Sequence, residues 1–91
     1  MIKSFKDKDT RAIFNGERAR RIPGVIQRSV QRKLWMLDAA VALEDLFSPP
    51  GNHFEALQGR PDFFSIRINL QWRITFLWSD GAEEVLIEDY H

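Results

Sequence analysis

Between residues 63 and 78, apolar and polar side chains alternate with a period of two. Phe64, Ile66 and Ile68 alternate with Ser65, Arg67 and Asn69, and Trp72, Ile74 and Phe76 alternate with Arg73 and Thr75. That period belongs to strands, and the enrichment in aromatic and β-branched residues agrees with it. The short connection around residues 69–71 makes the two strands a hairpin, although it lacks the Asn-Gly or Asp-Gly of the strongest hairpin turns. A hairpin patterned in this way has one apolar face to bury. Its second face carries Arg67 and Arg73 on rigid backbone, and two guanidinium groups side by side suit an anion or a phosphate. The same pattern also fits an ordinary solvated face, since antiparallel sheets commonly keep one side wet.

A different period governs the segment that begins at Pro23. Ile26, Val30, Leu34, Leu37 and Val41 recur at spacings of four, four, three and four, and Met36, Ala40, Leu43 and Phe47 widen the stripe. That is one face of a helix. Proline is pre-set for a first helical position, and Ser48-Pro49-Pro50-Gly51-Asn52 cannot continue a helix, so one long helix is expected over residues 23–47. Upstream, residues 1–5 carry Ile2 and Phe5 and form a candidate first strand. Asp7 or Asp9 can cap a short helix over residues 10–14, which Asn15-Gly16 ends. Residues 54–59 read as a short strand. Asp80-Gly81 marks the turn into a last strand over residues 84–88. The order of elements predicts a single α+β domain over residues 1–91.

Composition narrows the classes that remain. A chain of 91 residues buries only about 60–65% of the surface its unfolded form exposes, so its seven Phe and three Trp must supply much of the core. The chain has no cysteine, which removes a disulfide framework, a thiolate metal site and a cysteine nucleophile from consideration. No apolar run reaches the roughly 20 residues of a membrane span. Lys3, Lys6, Asp7, Lys8 and Asp9 are unlike an apolar leader, so a cytoplasmic protein with no membrane partner is expected. The formal net charge is zero but unevenly spread. Residues 1–35 hold ten Lys and Arg against Asp7, Asp9 and Glu17, a net +7, and residues 36–91 hold Arg60, Arg67 and Arg73 against ten acidic residues, a net −7. Such asymmetry suggests a basic surface, with Arg28 and Arg32 on the polar side of the long helix, that meets RNA or an acidic partner. Folding can equally bring the two halves into mutual pairing.

Chemistry has few places to sit. The two histidines are His53, in a Pro/Gly loop and read as a surface residue, and His91. Asp89, Tyr90 and His91 together can accept, donate or relay protons. Strict alternation sets Tyr90 on the opposite face from Asp89 and His91, so the strand must end or bend there for all three to share a site. Two distant histidines and scattered carboxylates do not match a zinc site, and no glycine-rich phosphate loop or nucleophile elbow is present. RNA cleavage needs none of these. The 2′-hydroxyl can attack its own adjacent phosphate when protein groups move protons and neutralise the developing charge.

The chain resembles the HigB branch of the RelE-like toxins, the killer components of bacterial toxin–antitoxin pairs. The resemblance rests on Met1-Ile2-Lys3-Ser4-Phe5, on residues 34–46 followed by Ser48-Pro49-Pro50-Gly51-Asn52, on Leu57-Gln58-Gly59, on Ser65-Ile66-Arg67-Ile68-Asn69 with Gln71-Trp72-Arg73-Ile74, and on Asp89-Tyr90-His91. It implies a compact RelE-like α+β fold, with an N-terminal helical hairpin packed on a small antiparallel-rich sheet. It implies a ribosome-dependent mRNA endonuclease that needs no metal or other cofactor. Arg73 matches the family's phosphate-stabilising arginine, and Asp89, Tyr90 and His91 match its catalytic positions. Arg67, Gln58, Arg28 and Arg32 are the expected RNA contacts. Many relatives carry a basic residue where Gln58 stands, and a glutamine donates a hydrogen bond without bringing charge. The implied partners are a helix-turn-helix antitoxin of the HigA type, the ribosome and mRNA. Toxins of this general fold also include gyrase inhibitors that act by binding alone, and a degenerate antitoxin-binding module is the third alternative.

Overall fold

The structure is a computed structural model and describes residues 1–89. Two helices, α1 (Lys8–Phe14) and α2 (Gln27–Ala39), precede four strands, β1 (Glu55–Ala56), β2 (Phe63–Arg67), β3 (Trp72–Trp78) and β4 (Ala82–Asp89). The strands form one antiparallel sheet in the order β1-β2-β3-β4. This is the α+β architecture expected, with α1 packed on α2 and on β4. No helix is long and apolar enough to cross a membrane among the described residues.

The central hairpin forms as the alternation predicts, with Phe64 opposite Phe76, Ser65 opposite Thr75, Ile66 opposite Ile74 and Arg67 opposite Arg73. Its turn works without Asn-Gly because the Asn69 side chain substitutes for a backbone turn. Asn69 Oδ1 accepts from the N–H groups of Gln71 and Trp72, each at 2.8 Å. The next turn uses left-handed backbone at Asp80 (φ 56°) and at Gly81 (φ 141°). Gly81 is required twice over, since a Cβ there would lie 2.7 Å from the Met1 carbonyl oxygen.

That close approach belongs to a device that closes the outer edge of β4. The N-terminal segment runs parallel to β4, with bridges from Ile2 to Ala82 and from Phe5 to Val85. Lys3 and Lys6 N–H groups donate to Ala82 and Val85, while Ala82 and Val85 N–H groups donate to Met1 and Ser4. Farther along, Thr10 Oγ1 accepts from the Ile87 N–H at 3.1 Å, and Arg21 Nη1 donates to the Ile87 carbonyl at 2.6 Å. An edge strand left open pairs with other chains; here its backbone groups have partners from within the molecule. Asp7 caps α1 by accepting from the Thr10 N–H at 2.9 Å and also pairs with Arg21 at 2.7 Å. Burial alone would raise the Asp7 carboxyl, but the Thr10 hydrogen bonds and the Arg21 charge outweigh it and hold it below its ordinary value.

The long helix expected over residues 23–47 is in fact three pieces. A single 3-10 turn (Gly24–Ile26) leads into α2, which ends at Ala39, and a second 3-10 turn (Leu43–Phe47) follows an extended Ala40. Side chains claim the backbone at the break. Asp38 Oδ1 accepts from the Ile2 N–H at 2.8 Å, and Asp45 Oδ2 accepts from the N–H groups of Val41 and Ala42. The Ala42 and Val41 N–H groups hold the Asp45 carboxyl below its ordinary value. Val30, Leu34 and Leu37 join the core as expected, but Val41 is 85% exposed and Phe47 57% exposed. The core lies between the helices and one sheet face, where Ile66, Ile74, Phe76, Val85 and Ile87 are fully buried.

Candidate nucleic-acid interface

The second face of the sheet is neither apolar nor solvated. Register sets Glu55 opposite Ser65, Ser65 opposite Thr75, Arg67 opposite Arg73 and Arg73 opposite Glu88, so β1 to β4 each place a polar side chain on one surface. Ser65 and Thr75 are fully buried and Arg73 is only 7% exposed. The fully solvated face that the alternation allowed is therefore not what forms; the His53 carbonyl reaches Arg73 and the Arg60 side chain reaches Glu88.

A buried guanidinium is costly unless its donors are satisfied. Arg73 Nε donates to Ser65 Oγ at 2.8 Å, and Nη2 donates to the His53 carbonyl at 2.6 Å. The same Nη2 stands 3.3 Å from the carboxylate of Glu55, whose side chain is 54% exposed. Arg67 is half-buried beside it, donating through Nε to the Asn69 carbonyl at 3.2 Å, with Nη1 3.4 Å from His53 Nε2. Glu88 accepts from Thr75 Oγ1 and from both terminal nitrogens of Arg60, each at 3.2 Å. Arg60 also lies over the Phe63 ring, 4.8 Å from its centre. Thus Arg60, Arg67 and Arg73, the only basic residues of the acidic half, all reach this one face.

A cleft of about 310 Å³ lies alongside, lined by Glu55, Ala56, Leu57, Gln58 and Arg60. Gln58 is exposed there, next to the partners of Arg73 and of Glu88. Asp89 stands opposite Trp72, one position out of phase with Arg73, and accepts from Gln71 Nε2 at 3.1 Å. The acidic residue in register with Arg73 is therefore Glu88. Tyr90 and His91 lie outside the described residues. Arg28 and Arg32 are exposed on α2, away from the sheet face, and neither forms an ion pair among the described residues. Arg21 is committed to Asp7, Asp9 and the Ile87 carbonyl. Each ion pair among the described residues stays within its own half, so the +7 and −7 halves do not neutralise each other through such pairs.

Sequence reasoning missed Glu55, Ser65, Thr75, Glu88 and Arg60 as members of this network; His53 is the exposed loop residue it expected, to which the structure adds the contacts with Arg73 and Arg67. Ser65 and Thr75 were legible as residues sharing the arginines' face. For His53, Glu55 and Arg60 there was no signal, because their placement depends on edge pairing of β1 with β2 and on contacts with Arg73 and Glu88 that are distant in sequence.

A small antiparallel sheet backed by two helices, with a fixed arginine on its other face, is the architecture expected of RelE-like toxins. The family model described as "RelE-like toxin of type II toxin-antitoxin system HigB" matches residues 3–91, and the chain belongs to this HigB-like toxin family. It is 45% identical over 84 residues to Toxin HigB-1 of Vibrio cholerae serotype O1, covering 90% of this chain and 88% of the relative. Over 92 residues it is 29% identical to Endoribonuclease HigB of Proteus vulgaris, with both chains fully covered. An uncharacterised Haemophilus influenzae protein is 34% identical over 77 residues, covering 84% of this chain and 76% of that relative. Membership of a type II toxin–antitoxin family implies an antitoxin partner.

Proposed function

We propose that this toxin is an endoribonuclease that cleaves mRNA in the decoding site of the ribosome, with the sheet face around Arg73 as its centre. The observation that carries this reading is the fixed Arg73 guanidinium, aimed by Ser65 and the His53 carbonyl and paired with an exposed carboxylate. A phosphate oxygen carries the same charge as Glu55 and fits the same donor. Incoming RNA exchanges for Glu55 at Nη2, and Arg73 then holds the phosphate and its transition-state charge without reorganising. The 2′-oxygen attacks the adjacent phosphorus, its proton passes to a protein base, and the bond to the 5′-oxygen breaks as that oxygen gains a proton.

His91 serves as proton donor or acceptor, since an imidazole titrates near neutral pH. Tyr90 orients or stacks on a base, while Asp89, out of phase with Arg73 on β4, acts from the strand end rather than from the Arg73 face. Arg67 supplies a second cation beside Arg73, and Gln58 a neutral hydrogen-bond donor in the cleft. Arg28 and Arg32 contact ribosomal RNA or a HigA-type helix-turn-helix antitoxin in the cytoplasm. The name of the Proteus vulgaris relative supports the nuclease reading. Expression of wild type, Arg73→Ala and His91→Ala, with mRNA 5′ ends mapped, tests it. New ends from wild type alone are expected; the same ends from all three remove both residues from the mechanism.

A further inference from the structure

Beside the arginines, where the loop at His53 leads into β1, lies an open apolar pocket of about 370 Å³ lined by Phe47, Pro50, His53 and Phe54. We infer that this pocket holds the base of a nucleotide adjoining the cleaved phosphate, with Phe47 as its stacking surface. The inference rests on the nuclease reading of the Arg73 face.

Three observations support it. First, the pocket wall is rigid from below. The Phe47 and Phe54 rings are 4.9 Å apart, Phe54 stacks on Phe64 at 5.4 Å and 19°, and Phe64 lies 6.2 Å from fully buried Phe76. A continuous aromatic ladder thus runs from the core to Phe47, which is anchored on one side and 57% exposed on the other. Second, the pocket and the arginines share a residue. His53 lines the pocket, its carbonyl accepts from Arg73, and its Nε2 lies 3.4 Å from Arg67. A group in the pocket therefore sits one residue away from a group held by the two guanidiniums. Third, the size and charge fit one nucleotide. The pocket lies at the small end of the roughly 300–1,000 Å³ range of ligand sites, which suits a single planar ring system. None of its four lining residues is acidic, and the charges next to it are Arg67 and the Arg73–Glu55 pair, whose exposed carboxylate an incoming phosphate replaces on the nuclease reading.

Base stacking tolerates any base but favours the larger ring systems, so the pocket biases cleavage toward a purine at one position beside the cut. The test compares wild type, Phe47→Ala, Phe47→Trp and Arg73→Ala at matched expression. The cleavage rate of one reporter mRNA and the mapped ends are read together, with melting of each purified protein as the folding check. Phe47→Ala is expected to slow cleavage about tenfold and to flatten the base bias at one position, while Phe47→Trp keeps both. Arg73→Ala lowers cleavage at every site. Wild-type rate and bias in Phe47→Ala overturn the pocket assignment alone. So does loss of antitoxin binding by Phe47→Ala with cleavage intact, which gives the pocket to the protein partner. An absence of cleavage by wild type overturns the nuclease reading, and the pocket assignment falls with it.

Discussion

The two faces of the sheet are built from the same strands and alternate residue by residue, yet they obey different rules. On one face Ile66, Ile74, Phe76 and Ile87 are fully buried against the helices. On the other, Ser65, Arg73 and Thr75 are buried almost as deeply, but under a polar layer of His53, Glu55, Arg60 and Glu88. The first face contributes stability through apolar area, which is non-directional and large. The second is a network of directed bonds around a charge. Such networks contribute little net stability, because desolvation offsets their attraction, but they fix a guanidinium in one orientation. The comparison teaches that depth of burial does not separate core from site in a domain this small; the chemistry of what is buried does.

The sharpest way to break the comparison is to cut each face in turn. Phe76→Ala removes the largest fully buried side chain and should destabilise the fold by about 3–5 kcal/mol, read by denaturant unfolding. A loss as small as that expected on the polar face would contradict the division. Ser65→Ala takes the acceptor from Arg73 Nε and should cost about 1–3 kcal/mol, while lowering cleavage more than its stability loss explains.

How far these faces were legible follows from the range of the interactions. The hairpin and its apolar face follow from nearest-neighbour alternation. The Gly81 turn was legible too, as was an aspartate cap on α1, which the sequence left between Asp7 and Asp9 and the structure gives to Asp7. The helix was read too long because its stripe of Val41, Leu43 and Phe47 keeps helical spacing, while the break at Ala40 depends on Asp38 meeting Ile2 and on Asp45 turning back to Val41 and Ala42. The first of these contacts joins residues 36 apart in sequence, which no local pattern encodes. The same holds for the candidate site. Arg67 and Arg73 sharing a face was readable, but their cover by His53, Glu55 and Arg60 was not.

Smaller effects sharpen the outer parts of the picture. Asp7→Ala removes the α1 cap and should cost about 1 kcal/mol. The carboxyls of Asp7 and Asp45 are both held low in the folded state. Their stabilisation is present above the unfolded carboxyl value, near pH 4, and is lost as pH falls through the lower folded values. The melting temperature should therefore drop on acidification below about pH 4, and the Asp7→Asn, Asp45→Asn double variant should show a shallower drop. An equally steep drop would place the acid-sensitive groups elsewhere. Least of all, Arg28→Glu with Arg32→Glu should leave stability within about 0.5 kcal/mol of wild type, since both are exposed on α2. Ribosome or antitoxin binding should nevertheless weaken and lose part of its salt dependence. Unchanged binding to both partners would reduce this surface to a solvated face.

The central claim is that the buried polar face exists for RNA chemistry rather than for stability, and Arg73→Met tests it most directly. Methionine fills much of the same space without charge or donors. Among the described residues, Glu55 can hydrate in its exposed position, while the Ser65 hydroxyl and the His53 carbonyl lose a partner. Stability and single-turnover mRNA cleavage are measured on the same purified protein. The expected result is a stability loss of no more than about 3 kcal/mol, with cleavage reduced about 100- to 1,000-fold. Cleavage at the wild-type rate by a folded Arg73→Met protein would contradict the claim and return Arg73 to a structural role.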